Sequence, residues 1–531
     1  MIPAKLDSMG QNNKNRLGPD HTRRDFLRTI GLGAGAIVLA ACTQPERLLS
    51  AGAGSTPTPS QPWLPAGLLH DDFFIHNPKP LAIETRRERM PNSTLTPTDK
   101  LFIRNNLPMP EAHVVANADN WALHIEGVAT PQSLKLSELK ELEAHTLVAV
   151  LQCSGNGRAF FEHGPSGSPW ALGAAGCVEW KGVLVSDVLA HLGGTTPKMN
   201  YLTATGGDPI PDGVDRLQVL VERSIPLEKG LRDCLLAWEL NGEPIPLSHG
   251  GPLRLIVPGY FGCNNIKYIR TLACTAEQSP SKIQQKGYRF RPIGTGGAPS
   301  QPSMWRMPVK SWVNAADPAH PKTGNVRVHG FAFSGERGIA KVEVSADDGN
   351  TWQQAEMTGP DLGSNAWRSF TALIALTHAT TRVVSRATDT AGDIQPQNRV
   401  ENERGYGHNG WKDAALTLHL DAKPSKPAQS NPSPQAEKNP TETKPQTLSP
   451  AAERGKKLFA ESANPPCAVC HTLEDAEASG ALGPNLDTLK PTAQRVSSAL
   501  KNGVGIMPSY AETLTDAQID DLAQYLSEVT R

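Results

Sequence analysis

The chain of 531 residues lacks any excess of charge: 52 Lys and Arg stand against 53 Asp and Glu, a formal net charge of -1. That balance gives no electrostatic reason to expect nucleic acid as a partner. Aromatic residues are scarce at 5%, while 47 glycines and 45 prolines favour turns and short strands over long helices. No apolar run reaches the roughly 18 residues of a spanning helix; the run from Ile30 to Ala41 falls short. Eight cysteines in so long a chain, without dense regular spacing, do not make a disulfide scaffold. No G-x-G-x-x-G fingerprint opens a βαβ unit, and no solenoid repeat is present.

What is there begins with "HTRRDFLRTIGLGAGAIVLAAC", in which Arg23 and Arg24 precede the short apolar run. This resembles a twin-arginine export signal over residues 1–41, and it implies a periplasmic protein that folds before export. Its end, "LAAC", resembles a lipobox, which would make Cys42 a lipidated anchor; an ordinary signal peptide with an incidental Cys42 is the alternative. Residues 42–70 then read as a Pro/Ser/Gly-rich spacer.

The remainder divides by pattern, as a chain of this length must. From 71 to 306, strand-like runs such as "LVAVLQC" and "CLLAWELNG" alternate with helix-like segments, which predicts a mixed α+β domain. From 307 to 420 strands of alternating polarity, with "DDGN" as a hairpin loop, predict an immunoglobulin-like β-sandwich. Between 421 and 450 there are seven prolines and no aromatic or β-branched aliphatic residue, so 421–449 is read as a linker. As a coil its ends would lie roughly 30 Å apart. Residues 450–531 form a last, helical unit.

That unit contains Cys467, Cys470 and His471 as C-x-x-C-H, the attachment motif of a c-type haem. Two thiols one helical turn apart suit thioether bonds to the two vinyl groups, and the adjacent histidine faces the iron. A structural zinc site would need two further ligands, and none follows. Met507, in the loop "NGVGIMPSY", is the expected sixth ligand. "LTDAQIDDLAQYLSEV" carries a Thr515 cap and apolar residues at helical spacing. Residues 450–531 resemble a monohaem class I cytochrome c, all α.

A tethered electron carrier implies a redox centre upstream. Seven cysteines follow Cys42, at 153, 177, 234, 263, 274, 467 and 470, and none upstream clusters for an iron–sulfur site. Cys153, in "VAVLQCSGNGR", ends an apolar strand beside Arg158. Read alone it is a small buried hydrophobe.

"LQCSGNGR" also resembles the segment of the sulfite oxidase family in which a single cysteine thiolate ligates molybdenum. Other family landmarks follow in order: "FIRNN", with Arg104, Asn105 and Asn106, where the family often has histidine last; "SPWALGAAGCVEWKGV", with Trp170; "LSHGGPLRLIVPGYFGCNNIKYI", with His249, Arg254 and Lys267; "QQKGYRF", with Tyr288; and "ENERGYGHNGW", with Arg404. The resemblance implies a molybdenum–molybdopterin cofactor held at Cys153, with Asn105, Asn106, His249, Arg254 and Lys267 as its contacts. It implies that Arg104, Arg158 and Arg404 grip the anion while Trp170 and Tyr288 shape the pocket, and that the sandwich forms a homodimer. The implied activity is oxidation of sulfite to sulfate, with electrons leaving through haem c to an external cytochrome. A soft thiolate suits such a metal, and planar guanidinium groups suit a small oxyanion.

Rival readings remain. A SoxC-type sulfane dehydrogenase, acting on carrier-bound sulfur, resembles the same body. An electron-relay cytochrome without catalysis would lack molybdenum. A cysteine hydrolase would pair Cys153 with a base such as His163. The absence of a flavin or nicotinamide module disfavours an assimilatory nitrate reductase.

Overall fold

The computed structural model describes residues 63–210, 214–318, 324–376, 380–419, 448–463, 465–480, 483–504 and 507–530. The signal-like segment, Cys42 and the linker through residue 447 lie outside the described residues.

The first body is a mixed α+β domain. Its central five-stranded sheet runs Glu243–Pro244, Leu235–Leu240, Ala175–Leu184, Ala144–Gln152, with Arg254–Ile256 also paired to Leu235–Leu240. A second runs Gln132–Lys135, Ala122–Glu126, Ile269–Thr275, Tyr201–Gly206, Glu222–Pro226, and there Ala122–Glu126 and Ile269–Thr275 are parallel. Strand Ala122–Glu126 shows its chemistry plainly: Leu123 and Ile125 point into the core, while His124 and Glu126 face water. By contrast, the run Leu235–Leu240 is buried on both faces except at Glu239, which pairs with Lys181, so its side chains are apolar without alternation elsewhere. The strand Ala144–Gln152 begins partly exposed and ends fully buried, which carries Cys153 to the interior. A small three-stranded sheet, Phe73–Asn77, Ala82–Thr85 and Ile103–Arg104, delivers Arg104 to the same region.

The second body is a sandwich of two four-stranded sheets. One orders Val309–Asp317, Asn325–Ser334, Arg368–Ala375, Glu356–Thr358, and the other Gln353–Gln354, Ile339–Ser345, Thr380–Asp389, Leu416–His419. The "DDGN" loop joins Ile339–Ser345 to Gln353–Gln354 as a hairpin, with Asp348 at φ +58°. Trp312, Phe331 and Trp367 are fully buried, and the Phe331 and Trp367 rings stack at 4.1 Å. Each such ring contributes about 1.5–3 kcal/mol by burial. Between Thr380–Asp389 and Leu416–His419 the chain leaves the sandwich, and residues 402–408 reach back to the first body.

The last body is helical. Ser449 caps Pro450–Lys457, Thr492 caps Ala493–Asn502, and Thr515 with Gln518 forms a capping box on Asp516–Val529. Ile519, Leu522, Tyr525 and Leu526 are buried against Leu458, Phe459 and Leu500, at the predicted spacing. Arg454 joins the terminal helices through a two-pronged pair with Asp521, at 2.8 and 2.6 Å. Among the described residues no helix is long and apolar enough to cross a membrane.

Candidate active site and haem crevice

The turn after Gln152 is closed by local bonds. Cys153 N donates to the Ala174 carbonyl at 2.9 Å, and Asn156 bridges the Gln152 side chain and Ala174 N. Gly157 adopts φ +98°, and a Cβ there would lie 2.3 Å from the His408 ring, so "GNG" is required by a close approach. The turn leaves Cys153 half-buried at a cavity wall and Arg158 inside.

Arg158 donates Nε to the Arg404 carbonyl and Nη1 to the Ser168 carbonyl, both at 2.8 Å. Its guanidinium also faces the Tyr406 ring at 5.3 Å. Burial, reinforced by Arg404, pulls its pKa below the usual arginine value. Arg104 donates to the Asn105 carbonyl and, at 2.8 Å, to Asn106 Oδ1. Arg104, Arg158, Arg404, Cys153, Trp170 and Tyr288 all line one cavity of about 1230 Å³. Tyr288 stacks on Tyr406 at 5.5 Å, and burial raises its phenol pKa. Trp170 is fully buried, yet its Nε1 has no hydrogen-bond partner.

Behind this mouth a second cavity is lined by Cys153, Asn105, Asn106, His249, Arg254 and Lys267. Lys267 Nζ donates to Asn105 Oδ1 at 2.7 Å and to the Ser248 carbonyl at 2.6 Å. Arg254 Nη1 donates to the His249 carbonyl at 2.7 Å. Burial, then the Arg254 charge, holds Lys267 well below the ordinary lysine pKa, and burial lowers Arg254 to about 10. A set of desolvated cations beside Asn105 Nδ2, which is buried without a partner, suits a polar, anionic cofactor. No group of three or more His, Cys, Asp or Glu among the described residues could cage a metal ion. A metal at Cys153 therefore brings further ligands with it, as the dithiolene of a molybdopterin does.

In the helical module Cys467–Cys470 form a single helical turn, and His471 N donates to the Cys467 carbonyl at 2.9 Å. His471 Nδ1 lies 3.0 Å from the Pro484 carbonyl, which fixes the ring and leaves Nε2 for iron. A Cβ at Gly483 would lie 2.5 Å from the His471 ring, so this wall admits glycine alone. Met507 shares the crevice with Leu486, Val496 and Tyr510. The donor set and the apolar walls fit a haem.

The structure brings the proposed residues together in these two places. Sequence reasoning missed Tyr406, two residues beyond Arg404, and Asp208, which lines the inner cavity and is raised to about 7 by burial. It also missed Arg291, buried at the mouth, and Cys263, half-buried at the inner cavity. None of the seven described cysteines forms a disulfide, in line with the absence of a disulfide scaffold. His163, the base named for the hydrolase reading, lines neither cavity and faces Glu401 at 3.7 Å.

Family models match the chain in three places: an oxidoreductase molybdopterin binding domain over residues 107–283, a Mo-co oxidoreductase dimerisation domain over 301–418, and cytochrome C oxidase, cbb3-type, subunit III over 450–526. The protein is thus a molybdopterin oxidoreductase joined to a cytochrome c domain, which implies a molybdenum cofactor and a haem c. The mitochondrial sulfite oxidase of Rattus norvegicus is 30% identical over 373 residues, covering 66% of this chain and 67% of that protein. The sulfite oxidase of Arabidopsis thaliana is 30% identical over 379 residues, covering 66% of this chain and 95% of that protein. The chain belongs to the sulfite oxidase family. The crystal structure of the sulfane dehydrogenase SoxCD from Paracoccus pantotrophus matches with a TM-score of 0.56 at 25% identity, covering 70% of this chain and 96% of that one.

Proposed function

We propose that the protein oxidises sulfite to sulfate and passes the two electrons singly through its own haem to an external cytochrome. Sulfite and water become sulfate, two electrons and two protons. The observation that carries this is the shared cavity: Cys153, Arg158, Tyr288 and Arg404 line it, and so do Cys470, His471 and Met507. When bound, the molybdenum cofactor supplies two-electron oxygen-atom transfer, and the haem supplies single-electron transfer.

The protein's part is to bind and orient. Cys153 holds the metal through its thiolate. Arg104, Arg158 and Arg404 offer fixed donors to an anion drawn out of water, where each charge-assisted bond is strong. Arg158 is pre-set by two carbonyls, so little freedom is lost on binding. Tyr288, held by its stack on Tyr406, sets the width of the pocket. Purified holoenzyme should bleach or build its haem bands on sulfite addition; holoenzyme that contains molybdenum and shows no sulfite-dependent haem reduction would refute the reading.

The likeness to SoxCD supports a second reading, oxidation of carrier-bound sulfur. Presenting free sulfite and a sulfur-loaded carrier protein to the same preparation separates the two. We further propose export by the twin arginine, assembly as a homodimer through the sandwich, and anchoring if Cys42 is lipidated. Fractionation of cells carrying Arg23→Lys with Arg24→Lys tests the first, and sedimentation the second.

A further inference from the structure

Two side chains of the molybdopterin body reach the same loop of the haem module. Lys282 Nζ donates to the Met507 carbonyl at 3.2 Å, and Arg404 Nη1 donates to the Gly503 carbonyl at 3.0 Å. The loop is tied across its neck, with Val504 N bonded to the Met507 carbonyl at 3.2 Å and Met507 N to the Val504 carbonyl at 2.9 Å. A grip on the Met507 carbonyl restrains the residue that carries the thioether.

Both donors come from elements that already serve the molybdenum pocket. Lys282 immediately precedes the helical turn Ile283–Gly287, which ends at Tyr288. Arg404 is buried, and its own carbonyl is held by Arg158. The anion pocket and the seat of the haem loop therefore share Arg404 and the segment that runs from Lys282 to Tyr288.

We propose that Lys282 is a positioning residue for electron transfer: with Arg404 it seats the Met507 loop against the molybdenum pocket and so sets the haem's axial environment. A tether of the linker's length supplies an effective concentration of about millimolar or below, so a few directed bonds suffice to choose the docked orientation. Lys282 supplies one such bond and Arg404 the other, both from the wall of the same cavity.

The inference rests on the redox reading above for the origin of the electrons, but its measurement does not. In full-length holoenzyme, Lys282→Met should lower the haem midpoint potential, titrated with chemical mediators, because a loosened loop admits water to the iron. It should weaken the methionine–iron charge-transfer band and slow sulfite-driven haem reduction about tenfold or more, the loss expected for one charged donor. Molybdenum content should be unchanged, and the potential is read in the absence of sulfite. Lys282→Arg, which keeps a donor, should restore potential, band and rate. Wild-type potential, band and rate in Lys282→Met would overturn the proposal, as would an arginine variant that behaves like the methionine one. If wild-type enzyme ignores sulfite, the functional reading fails while the potential shift still decides this one.

Discussion

The molybdenum pocket and the haem crevice solve opposite problems of burial. The pocket buries cations: Arg158, Arg254 and Lys267 are all pulled down by desolvation, and each donates its hydrogen bonds to backbone or amide oxygens, with Asp208 beside Lys267 the one carboxyl among their charged neighbours. The crevice buries apolar surface, with Leu486, Val496 and Leu500 around one histidine whose ring is aimed by a carbonyl. An oxyanion site must keep its positive charge unspent until substrate arrives, and the hydrogen bonds of these cations therefore go to neutral oxygens. An electron carrier must instead keep water from its iron.

Separating the two sites gives the largest expected effects. Cys153→Ser should cut sulfite oxidation by more than about 100-fold, beyond what even outer partners of a metal ligand cost, while the haem spectrum is unchanged. The converse is Cys467→Ala with Cys470→Ala, which should abolish covalent haem and reduction of external cytochrome. Sulfite should still produce a Mo(V) signal by electron paramagnetic resonance. Loss of that signal in the second variant would mean that the sites depend on each other for folding.

A smaller effect sharpens the contrast among the arginines. Arg158→Met removes a donor that bonds no residue of the haem module directly, and should raise the KM for sulfite roughly 10- to 100-fold with a smaller shift in haem potential than Arg404→Met, because it acts there only through the Arg404 carbonyl. Arg404→Met should raise KM and shift the potential as well, because Arg404 Nη1 also holds Gly503. Steady-state kinetics paired with a redox titration checks both.

The two sites were also unequally legible in the sequence. The proposed haem residues sit within five positions, Cys467 to His471, plus one loop methionine, so spacing alone singled them out. The molybdenum pocket is assembled from Arg104, Cys153, His249, Tyr288 and Arg404, on strands and loops far apart in the chain, and only their order against a family pattern joined them. Strand Leu235–Leu240 was legible as the apolar run "CLLAWELNG", whereas Ala122–Glu126, although it alternates, is too short to have stood out. Asp208 and Lys282 gave no signal at all. Their meaning comes from what long-range packing sets beside them: Lys267 in one case and the Met507 loop in the other.

Asp208 supplies the smallest expected effect and the finest test of a pocket built for cations. Burial raises its carboxyl from 3.8 to about 7, although the Lys267 charge opposes the shift. Between pH 4 and pH 7 the folded chain therefore holds a proton that the unfolded chain has released. Stability falls as pH rises through that window and is flat above it. In cofactor-free protein, Asp208→Asn removes this dependence without removing the side chain's volume. The variant should melt a few degrees above wild type at pH 8, and the gap should close by pH 4. A gap that stays constant from pH 4 to pH 8 would show that Asp208 is ionised throughout, and that Lys267 outweighs desolvation at the inner wall of the pocket.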